Sequence, residues 1–458
     1  QVSDNPSPPG HIRFTWQQGT LLFTDLAGFT PLLEANAAQG RRGAAHLLKV
    51  LNHYFSEMIE IISKSGGDLL EFTGDAMLVQ FLADAQRSDV AQAVRAGLRM
   101  QRAMEHFSNI EAANGQYQLG MRVGVHSGRF LTADIGTPIR MAHVLLGKTV
   151  QQAKQAEGSG KVGRVCLSKV ESDRLGEPFR YEPTDLSYML VNDDFSADQL
   201  GEYDITLSRR RQSGLVLLDR SAEGLLLEIN EAVKRVEVLA GYVPSPILRL
   251  LVESASQRRI PPNFPESIVV FVNLLGLPES VDAASQEELD SLVRSFSRAF
   301  SSINAAVSSR GGILQKVTYQ LVGSDILVYF GVLTSRTDDA LRAADTAIAI
   351  REIVNQLPTP LINDKPINVA CRIGITRGAV FAAEIGEPRG RREFNILGDP
   401  VNTAARLMTR AAPQQILMTE EFYEAIAPQF SCEALGKVFL KGKAAPVGIY
   451  SLQKRAEE

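Results

Sequence analysis

Apolar residues recur at the spacing of an α-helix between positions 34 and 64. The stripe consists of Leu47, Leu48, Leu51, Tyr54, Phe55, Met58 and Ile61. Such a spacing places these side chains on one face of a helix. Gly66 and Gly67 follow, and glycine commonly ends a helix because it adopts a left-handed conformation without strain. Short apolar runs at 21–24 and on both sides of residue 74 predict a strand before the helix and a β-hairpin after it.

The same succession of patterns occurs twice, with an offset of about 250 residues. Residues 22–28, 65–81, 122–128 and 144–147 recur as 270–276, 310–330, 372–378 and 395–398. Four matching blocks in the same order indicate a duplicated domain. A solenoid would instead repeat at a much shorter period.

Each half is predicted to contain the same further elements. We predict helices at 34–64 or 284–309 and at 87–108 or 337–356, a strand at 119–125 or 367–375, and a helix at 149–157 or 400–410. Strands and helices interleave without a uniform βα alternation. The predicted fold class is therefore α+β with a mainly antiparallel sheet.

The domain boundaries follow from the repeat and from proline clusters. We expect a lead-in at 1–17, a first domain at 18–208, an ordered linker at 209–265 and a second domain at 266–458. A turn at 389–392 carries three arginines, and we expect it to be a solvated surface feature.

Composition excludes several classes of protein. The net charge of -4 gives no general reason to expect nucleic acid or an anionic membrane as a partner. The longest apolar run, 267–275, is too short to span a bilayer. Three widely separated cysteines, Cys166, Cys371 and Cys432, argue against a disulfide framework and fit a reducing compartment. A soluble, cytoplasmic protein is therefore expected.

Two carboxylates stand at the ends of predicted strands in the first half. Asp25 ends an apolar strand, and Asp75 lies in the turn between two others. Carboxylates that meet in this way could hold Mg²⁺, which prefers oxygen ligands and usually binds nucleotide phosphates as well. The alternative is that both are ordinary turn residues, a common role of aspartate.

The two halves differ at the positions that could carry chemistry. Asp25 and Asp75 align with Asn273 and Ser324, so the second half is not expected to bind metal. Asp325 is adjacent, but strand alternation predicts that its side chain points to the other face. Conversely, Lys316, Asn395, Asn402 and Arg406 of the second half align with Glu71, Val144, Gln151 and Gln155.

These motifs resemble the domains of class III nucleotidyl cyclases. Two unlike halves in tandem resemble the catalytic core of the bicarbonate-responsive soluble adenylyl cyclases, over roughly 20–170 and 266–450. The longer hairpin after Lys316 (316 to 324, against 71 to 75) is also found in that family's second domain. The resemblance implies two ferredoxin-like-derived cyclase domains that form a pseudo-twofold heterodimer within one chain, with one active site between them.

The resemblance also implies a role for each matching residue. Asp25, Asp75 and the Leu26 carbonyl would bind two Mg²⁺ ions, for which Mn²⁺ could substitute. The helix that opens at Gly28, Phe29 and Thr30 would receive the triphosphate on its free N–H groups, and Arg122 and Lys441 would contact phosphates. Lys316 and Asn395 would recognise the purine, Asn402 would orient the ribose, and Arg406 would face the α-phosphate.

The implied reaction converts ATP to 3′,5′-cyclic AMP and pyrophosphate. Lys316 offers only hydrogen-bond donors and Asn395 offers an acceptor, a pair that suits N1 and the 6-amino group of adenine. Asn395 departs from the Asp or Thr of the family. Because its amide can flip to present a donor, GTP stays open as a substrate.

Three other interpretations stay open. The chain could be a guanylyl cyclase, a non-catalytic cyclase pair that senses a nucleotide or anion, or an interaction scaffold. As an enzyme it is expected to bind ATP, without nucleic acid or membrane partners, and to be a monomer whose dimer-like interface lies within the chain. Further regulatory domains or partners are possible.

Bicarbonate regulation is expected to be weak or absent. The soluble family binds bicarbonate beside a lysine and an arginine. This sequence has Glu71 at the lysine position, and Lys154 is the residue that matches the arginine. A carboxylate at Glu71 would repel an anion unless Lys154 neutralised it.

Overall fold

The computed structural model describes residues 8–456, apart from 85–86, 113, 185–186, 202, 204–225, 227–229, 231–232, 235, 255–259, 388–389, 442 and 444. Much of the predicted linker, and residues 1–7 of the predicted lead-in, therefore lie outside the described residues.

The first lobe contains ten strands and five α-helices within its described part. In chain order they are β1 Arg13–Ala27, α1 Phe29–Ala37, α2 Arg41–Lys64, β2 Asp68–Thr73, β3 Ala76–Leu82, α3 Asp89–Ala103, β4 Ile110–Ala112, β5 Gly115–Tyr117, β6 Gly120–Thr137, β7 Arg140–Leu146, α4 Lys148–Ser159, β8 Val165–Ser168, α5 Lys169–Leu175, β9 Tyr181–Pro183 and β10 Tyr188–Val191.

The second lobe follows after helix α6 Ser245–Glu253. Its elements are β11 Glu266–Leu275, α7 Gln286–Ser309, β12 Ile313–Tyr319, β13 Ser324–Phe330, α8 Asp339–Asn355, β14 Leu361–Ile362, β15 Lys365–Pro366, β16 Ala370–Ala379, β17 Phe381–Gly386, β18 Arg392–Leu397, α9 Asp399–Arg410, β19 Ile416–Thr419, α10 Glu420–Ile426, β20 Phe430–Val438 and β21 Val447–Arg455.

The two main sheets have the same topology. The strand order is β2-β3-β1-β6-β8-β10-β9 in the first and β12-β13-β11-β16-β19-β21-β20 in the second. Neighbouring strands are antiparallel except β6 with β8 and β16 with β19. The predicted α+β class and the duplication are confirmed.

Two element boundaries differ from the prediction. Strand β1 begins at Arg13, inside the segment expected to be a lead-in. The predicted helix 34–64 is two helices, α1 and α2, separated at residues 38–40. The helices cross closely: a Cβ at Gly43 would lie 1.8 Å from the carbonyl oxygen of Asn36. Only glycine fits at this crossing. The apolar stripe therefore belongs to α2, and the chain turns between α1 and α2.

Each lobe inserts a hairpin into the hydrophobic core of the other. Residues of β17 and β18, including Phe381, Ile385 and Leu397, belong to the core built mainly from the first lobe. Residues of β6 and β7, including Leu131 and Leu146, belong to the core of the second. This reciprocal exchange buries apolar surface that neither lobe could cover alone, and it gives the pseudo-twofold pairing that was predicted.

An arginine on each exchanged hairpin holds the opposite lobe. Arg140 is 5% exposed, and it donates to the carbonyl oxygens of Leu314 (3.3 Å) and Gln315 (2.6 Å). At the equivalent place Arg391 donates to the carbonyls of Leu69 and Leu70. Arg391 is exposed, as expected for a turn at 389–392, but its guanidinium also binds backbone acceptors of the other lobe, which was not expected.

The cysteines are unpaired and the described helices are short or polar. Cys166, Cys371 and Cys432 are all free. Of the helices that the structure describes, none combines the length and apolar character needed to cross a bilayer.

Candidate active site

The two β-hairpins establish which residues of the lobes correspond. In β2 the register with β3 shifts between Leu69 and Glu71, and in β12 the register with β13 shifts between Leu314 and Lys316. A bulge at the same place in both strands makes Glu71 the structural counterpart of Lys316. The sequence alignment had paired the same two residues.

Asp25 and Asp75 lie close together at one end of the first sheet. Asp25 stands near the end of β1, and its carboxylate is paired with Arg122 directly opposite on β6. Asp75 follows Gly74, which has a φ of 71°, in the turn between β2 and β3. Burial, and then the nearby charge of Asp25, raise the pKa of Asp75 to about 7.

This pair of carboxylates fits a divalent cation. The charge of Asp25 raises the pKa of Asp75 because the two carboxylates repel, and a bound cation would relieve the repulsion. Both side chains are only half-buried, so an ion could reach them. Carboxylate and carbonyl oxygens are also the donors that Mg²⁺ prefers. Asp25, Asp75 and the Leu26 carbonyl are therefore chemically suited to hold such an ion.

Helix α1 begins beside this end of the sheet. Gly28 precedes it with a φ of 83°, and a Cβ there would lie 2.3 Å from the carbonyl oxygen of Gln118. No side chain caps the first turn. The free N–H groups after Gly28, including those of Phe29 and Thr30, are therefore available to an anion.

Arg122 is engaged by two carboxylates. Besides Asp25, its Nε lies 3.1 Å from Oε1 of Glu157, a residue of α4 that is almost fully buried. Glu157 also pairs with Lys154 at 2.8 Å. The predicted phosphate contact of Arg122 thus requires the guanidinium to share or exchange its bond to Asp25.

Lys316 reaches from the second lobe to the strand that leads to Asp75. Its Nζ lies 2.6 Å from Oε1 of Glu393 and donates to the carbonyl oxygen of Phe72. Phe72 is three residues before Asp75 in the chain. The predicted base-recognising lysine therefore lies against the predicted metal hairpin.

Asn395 lies against the same hairpin as Lys316, but its side chain is buried. It is 1% exposed, and its Oδ1 accepts hydrogen bonds from Nε2 of Gln315 (3.0 Å) and the backbone N–H of Ile396 (3.0 Å). Its Nδ2 faces the carbonyl oxygen of Gly74 at 3.4 Å. Asn395 thus supports the cleft, and the oxygen expected to read adenine already has two donors.

Asn402 and Arg406 lie one turn apart on α9. The buried face of this helix carries Val401, Ala404, Leu407 and Met408, which leaves Asn402 exposed and Arg406 half-buried. A methyl group at Gly398, which precedes the helix, would lie 3.9 Å from Leu33 of α1. The helix of Arg406 therefore begins next to the helix that is predicted to receive the triphosphate.

Lys441 and Lys443, which follow β20, differ in their contacts. Lys443 pairs with Asp399 at the start of α9. Lys441 is exposed, and within the described residues it has no ion pair or side-chain hydrogen bond. Lys441 is thus free to approach a ligand, whereas Lys443 holds the loop against α9.

The corresponding end of the second lobe is closed by hydrogen bonds. Asn273 faces Arg372 on β16 and Asp325 on β13. Its Nδ2 donates to Oδ1 of Asp325 at 2.9 Å, and its Oδ1 accepts from Arg372 at 2.7 Å. The expectation that Asp325 points to the other face is therefore wrong, because Asp325 pairs directly across the ladder with Asn273 and shares its face.

Two residues in contact with Lys316 and Asn395 were missed from sequence. Glu393 pairs with Lys316, and Gln315 binds both Asn395 and the carbonyl of Phe394. A signal was available for Glu393, since it stands two residues before Asn395 on a strand and so shares its face. For Gln315 no such signal existed, because the bulge in β12 determines where it points.

The sequence defines the class of this protein. The model of the adenylate and guanylate cyclase catalytic domain matches residues 15–201 and 263–454. The chain therefore belongs to this family, as predicted from its motifs, and carries its domain twice.

Several curated relatives align with this chain over part or nearly all of its length. Adenylate cyclase type 10 of Mus musculus is 24% identical over 452 residues, which are 94% of this chain and 26% of that protein. The type 10 enzyme of Homo sapiens is 22% identical over 453 residues, which are 96% of this chain and 27% of that protein. An adenylate cyclase of Mycobacterium tuberculosis (strain H37Rv) is 29% identical over 207 residues, 45% of this chain and 43% of the relative. The chain spans about a quarter of the length of the type 10 relatives.

A solved structure supports the arrangement of both lobes. A class III adenylyl cyclase-like ATP-binding protein from Pseudomonas aeruginosa aligns with a TM-score of 0.61 at 15% identity, over 90% of this chain and 85% of that chain. At this identity the likeness concerns the fold alone. It agrees with the two-lobed architecture described above.

Proposed function

We propose that the chain is an adenylyl cyclase that converts ATP to 3′,5′-cyclic AMP and pyrophosphate at one site between the lobes. One observation carries the proposal. Lys316 of the second lobe donates to Phe72, and Asn395 faces Gly74, so both lie against the hairpin that presents Asp75. These contacts support a single site at which the two complementary sets of residues would meet, although each lobe holds only one of them.

Asp25, Asp75 and the Leu26 carbonyl would hold two Mg²⁺ ions, or Mn²⁺ in their place. The cyclases of this family use divalent metal ions, and the number and identity of the ions here belong to the proposal. When bound, such ions lower the pKa of a ribose hydroxyl and stabilise charge on phosphate oxygens.

The side chains of the chain would bind and orient the nucleotide. The N-terminal N–H groups of α1 would hold the triphosphate, with Arg122 and Lys441 as further cationic contacts. Asn402 would hydrogen-bond the ribose so that its 3′-oxygen lies in line with the α-phosphorus. Arg406 would stabilise charge that develops on the α-phosphate in the transition state.

The proposal treats the chain as a monomer that contains both halves of its interface. The exchanged hairpins already supply each lobe with a partner from the same chain. A cytoplasmic location stays a prediction that rests on the sparse, unpaired cysteines. Because the type 10 relatives are much longer, regulatory segments outside this sequence are part of the proposal as well.

Cyclic nucleotide production by the purified chain tests this function. We expect cyclic AMP from ATP with Mg²⁺ or Mn²⁺, and at most slow turnover of GTP. Asp25→Asn should lower kcat at least ~100-fold, since it removes a charged metal ligand. Asp198→Asn, an exposed position in the same lobe, is the matched control. No product from ATP or GTP would indicate a non-catalytic pair, and a preference for GTP would indicate a guanylyl cyclase.

A further inference from the structure

The acceptor oxygen of Asn395 is already engaged. Its Oδ1 accepts from Gln315 and from the backbone of Ile396, and the side chain is 1% exposed. A carbonyl oxygen has two lone pairs, and both are used here. The adenine 6-amino group therefore needs another acceptor.

Glu393 offers that acceptor on the same strand face. It lies two residues before Asn395 on β18, so both side chains project to one side. Its carboxylate is 27% exposed, in contrast to Asn395, and it lies 2.6 Å from Nζ of Lys316. The charges of Lys316, Glu393 and Arg391 all act on the nearby Glu71.

A donor and an acceptor held side by side match the edge of adenine. Adenine presents an acceptor at N1 next to a donor on its 6-amino group. In such a complex Lys316 would donate to N1 and the carboxylate of Glu393 would accept from the 6-amino group. A carboxylate would repel the 6-oxo group of guanine, which is itself an acceptor.

We propose that Glu393 is the residue that recognises the 6-amino group of adenine, while Asn395 and Gln315 only shape the pocket. This inference rests on the proposed use of ATP, and it assigns Glu393 a specificity role.

A rival explanation is that Glu393 merely positions Lys316. The two explanations differ for purine riboside 5′-triphosphate, which keeps N1 and lacks the 6-amino group. If Glu393 contacts the amino group, its removal penalises ATP alone. If it only positions Lys316, its removal penalises both nucleotides equally, since both present N1 to the lysine.

The test compares kcat/KM for ATP, purine riboside 5′-triphosphate and GTP. The unmodified chain should prefer ATP over the purine analogue by about 10- to 100-fold, as for a hydrogen bond to a charged group. Glu393→Ala should bring this preference to within about 3-fold. Glu393→Gln keeps an acceptor oxygen and should retain part of it. Glu424→Ala, an exposed glutamate on α10, should leave the preference unchanged.

Two results would overturn the inference. Equal losses for ATP and the analogue in Glu393→Ala would reduce Glu393 to a positioning residue. A selective loss of GTP turnover would mean that Lys316 faces the guanine 6-oxo group and that Glu393 accepts from N1–H.

The same question is answered by binding alone. Displacement of a fluorescent N-methylanthraniloyl-ATP by ATP and by the purine analogue, with Mn²⁺ present, measures discrimination without turnover. If the chain makes no cyclic nucleotide but discriminates through Glu393, the proposed function fails and this inference stands. If the chain makes cyclic AMP but Glu393→Ala still discriminates normally, the proposed function stands and this inference fails.

Discussion

The equivalent ends of the two main sheets differ in the number of their carboxylates and in the groups that surround them. In the first lobe Asp25 and Asp75 lie together, half-buried, and the charge of Asp25 raises the pKa of Asp75. In the second lobe Asn273 stands in place of Asp25 and donates to the single carboxylate of Asp325.

The difference shows how one scaffold gives an open site and a closed one. Asp325 is 3% exposed and receives hydrogen bonds from Asn273 and Gln320 (2.9 Å each). These hydrogen bonds and the nearby Arg372 favour its charged form, although burial outweighs them. The first lobe leaves its carboxylate repulsion to be balanced by a ligand, which is the arrangement that a cation site requires.

The largest effect in this comparison is expected at the equivalent helices α9 and α4. Arg406→Ala should lower kcat at least ~100-fold, because a charge facing the transition state is often worth several kcal/mol. Within the described part of the chain, Gln155, its counterpart in the first lobe, accepts from the hydroxyl of Tyr188 at 3.2 Å, so Gln155→Ala should change kcat less than about 3-fold. Steady-state kinetics of both variants check this. Equal losses of kcat in the two variants would mean that both positions related by the pseudo-twofold axis contribute to catalysis.

The two exchanged hairpins should differ in their contribution to stability. Arg140 is buried and also donates to the carbonyls of Met141 and Tyr242, whereas Arg391 is exposed overall. Arg140→Ala should therefore lower the free energy of unfolding by about 3 kcal/mol, and Arg391→Ala by about 1 kcal/mol. Urea denaturation measures both. A larger loss for Arg391→Ala would contradict the ranking by burial.

The closed site should make stability depend on pH. Burial raises the pKa of Asp325 to about 7, above its value in the unfolded chain. The folded state therefore holds this proton more tightly, and stability falls as pH rises from about 4 through 7. Relative to Asp325→Asn, the unmodified chain should lose about 1–3 kcal/mol between pH 5 and 8. If the urea midpoints of the unmodified chain and of Asp325→Asn do not diverge with pH, the pKa of Asp325 in the folded chain is ordinary.

The smallest effect is expected from bicarbonate. One carboxyl oxygen of Glu71 is buried without a hydrogen-bond partner within the described residues, and burial raises its pKa to about 7. Lys154 is held by Glu157, so it does not neutralise Glu71. At fixed pH bicarbonate should change kcat less than about 2-fold, because the aligned cation is missing. A saturable rise in kcat would contradict this prediction.

Much of the fold followed from the sequence because its signals are local. The apolar stripe of α2, the glycines after it and the duplicated blocks depend only on residue order and spacing. They predicted the α+β class and the duplication, whereas the family was predicted from the resemblance of the motifs around Asp25 and Asp75. The unequal distribution of Asp25, Asp75, Lys316 and Arg406 between the halves was likewise visible without coordinates.

Other features were decided by contacts between residues far apart in the chain. Asp325 pairs with Asn273 through strand register, and Arg391 finds the carbonyls of Leu69 and Leu70 only because the lobes exchange hairpins. Glu393 and Lys316 belong to the same lobe, but they too are far apart in the chain and are brought together by the fold. The sequence by itself determined which chemical groups each lobe owns. The tertiary structure alone decided which of them are satisfied by neighbours and which face the cleft, because hydrogen bonds and burial depend on partners that sequence spacing does not specify.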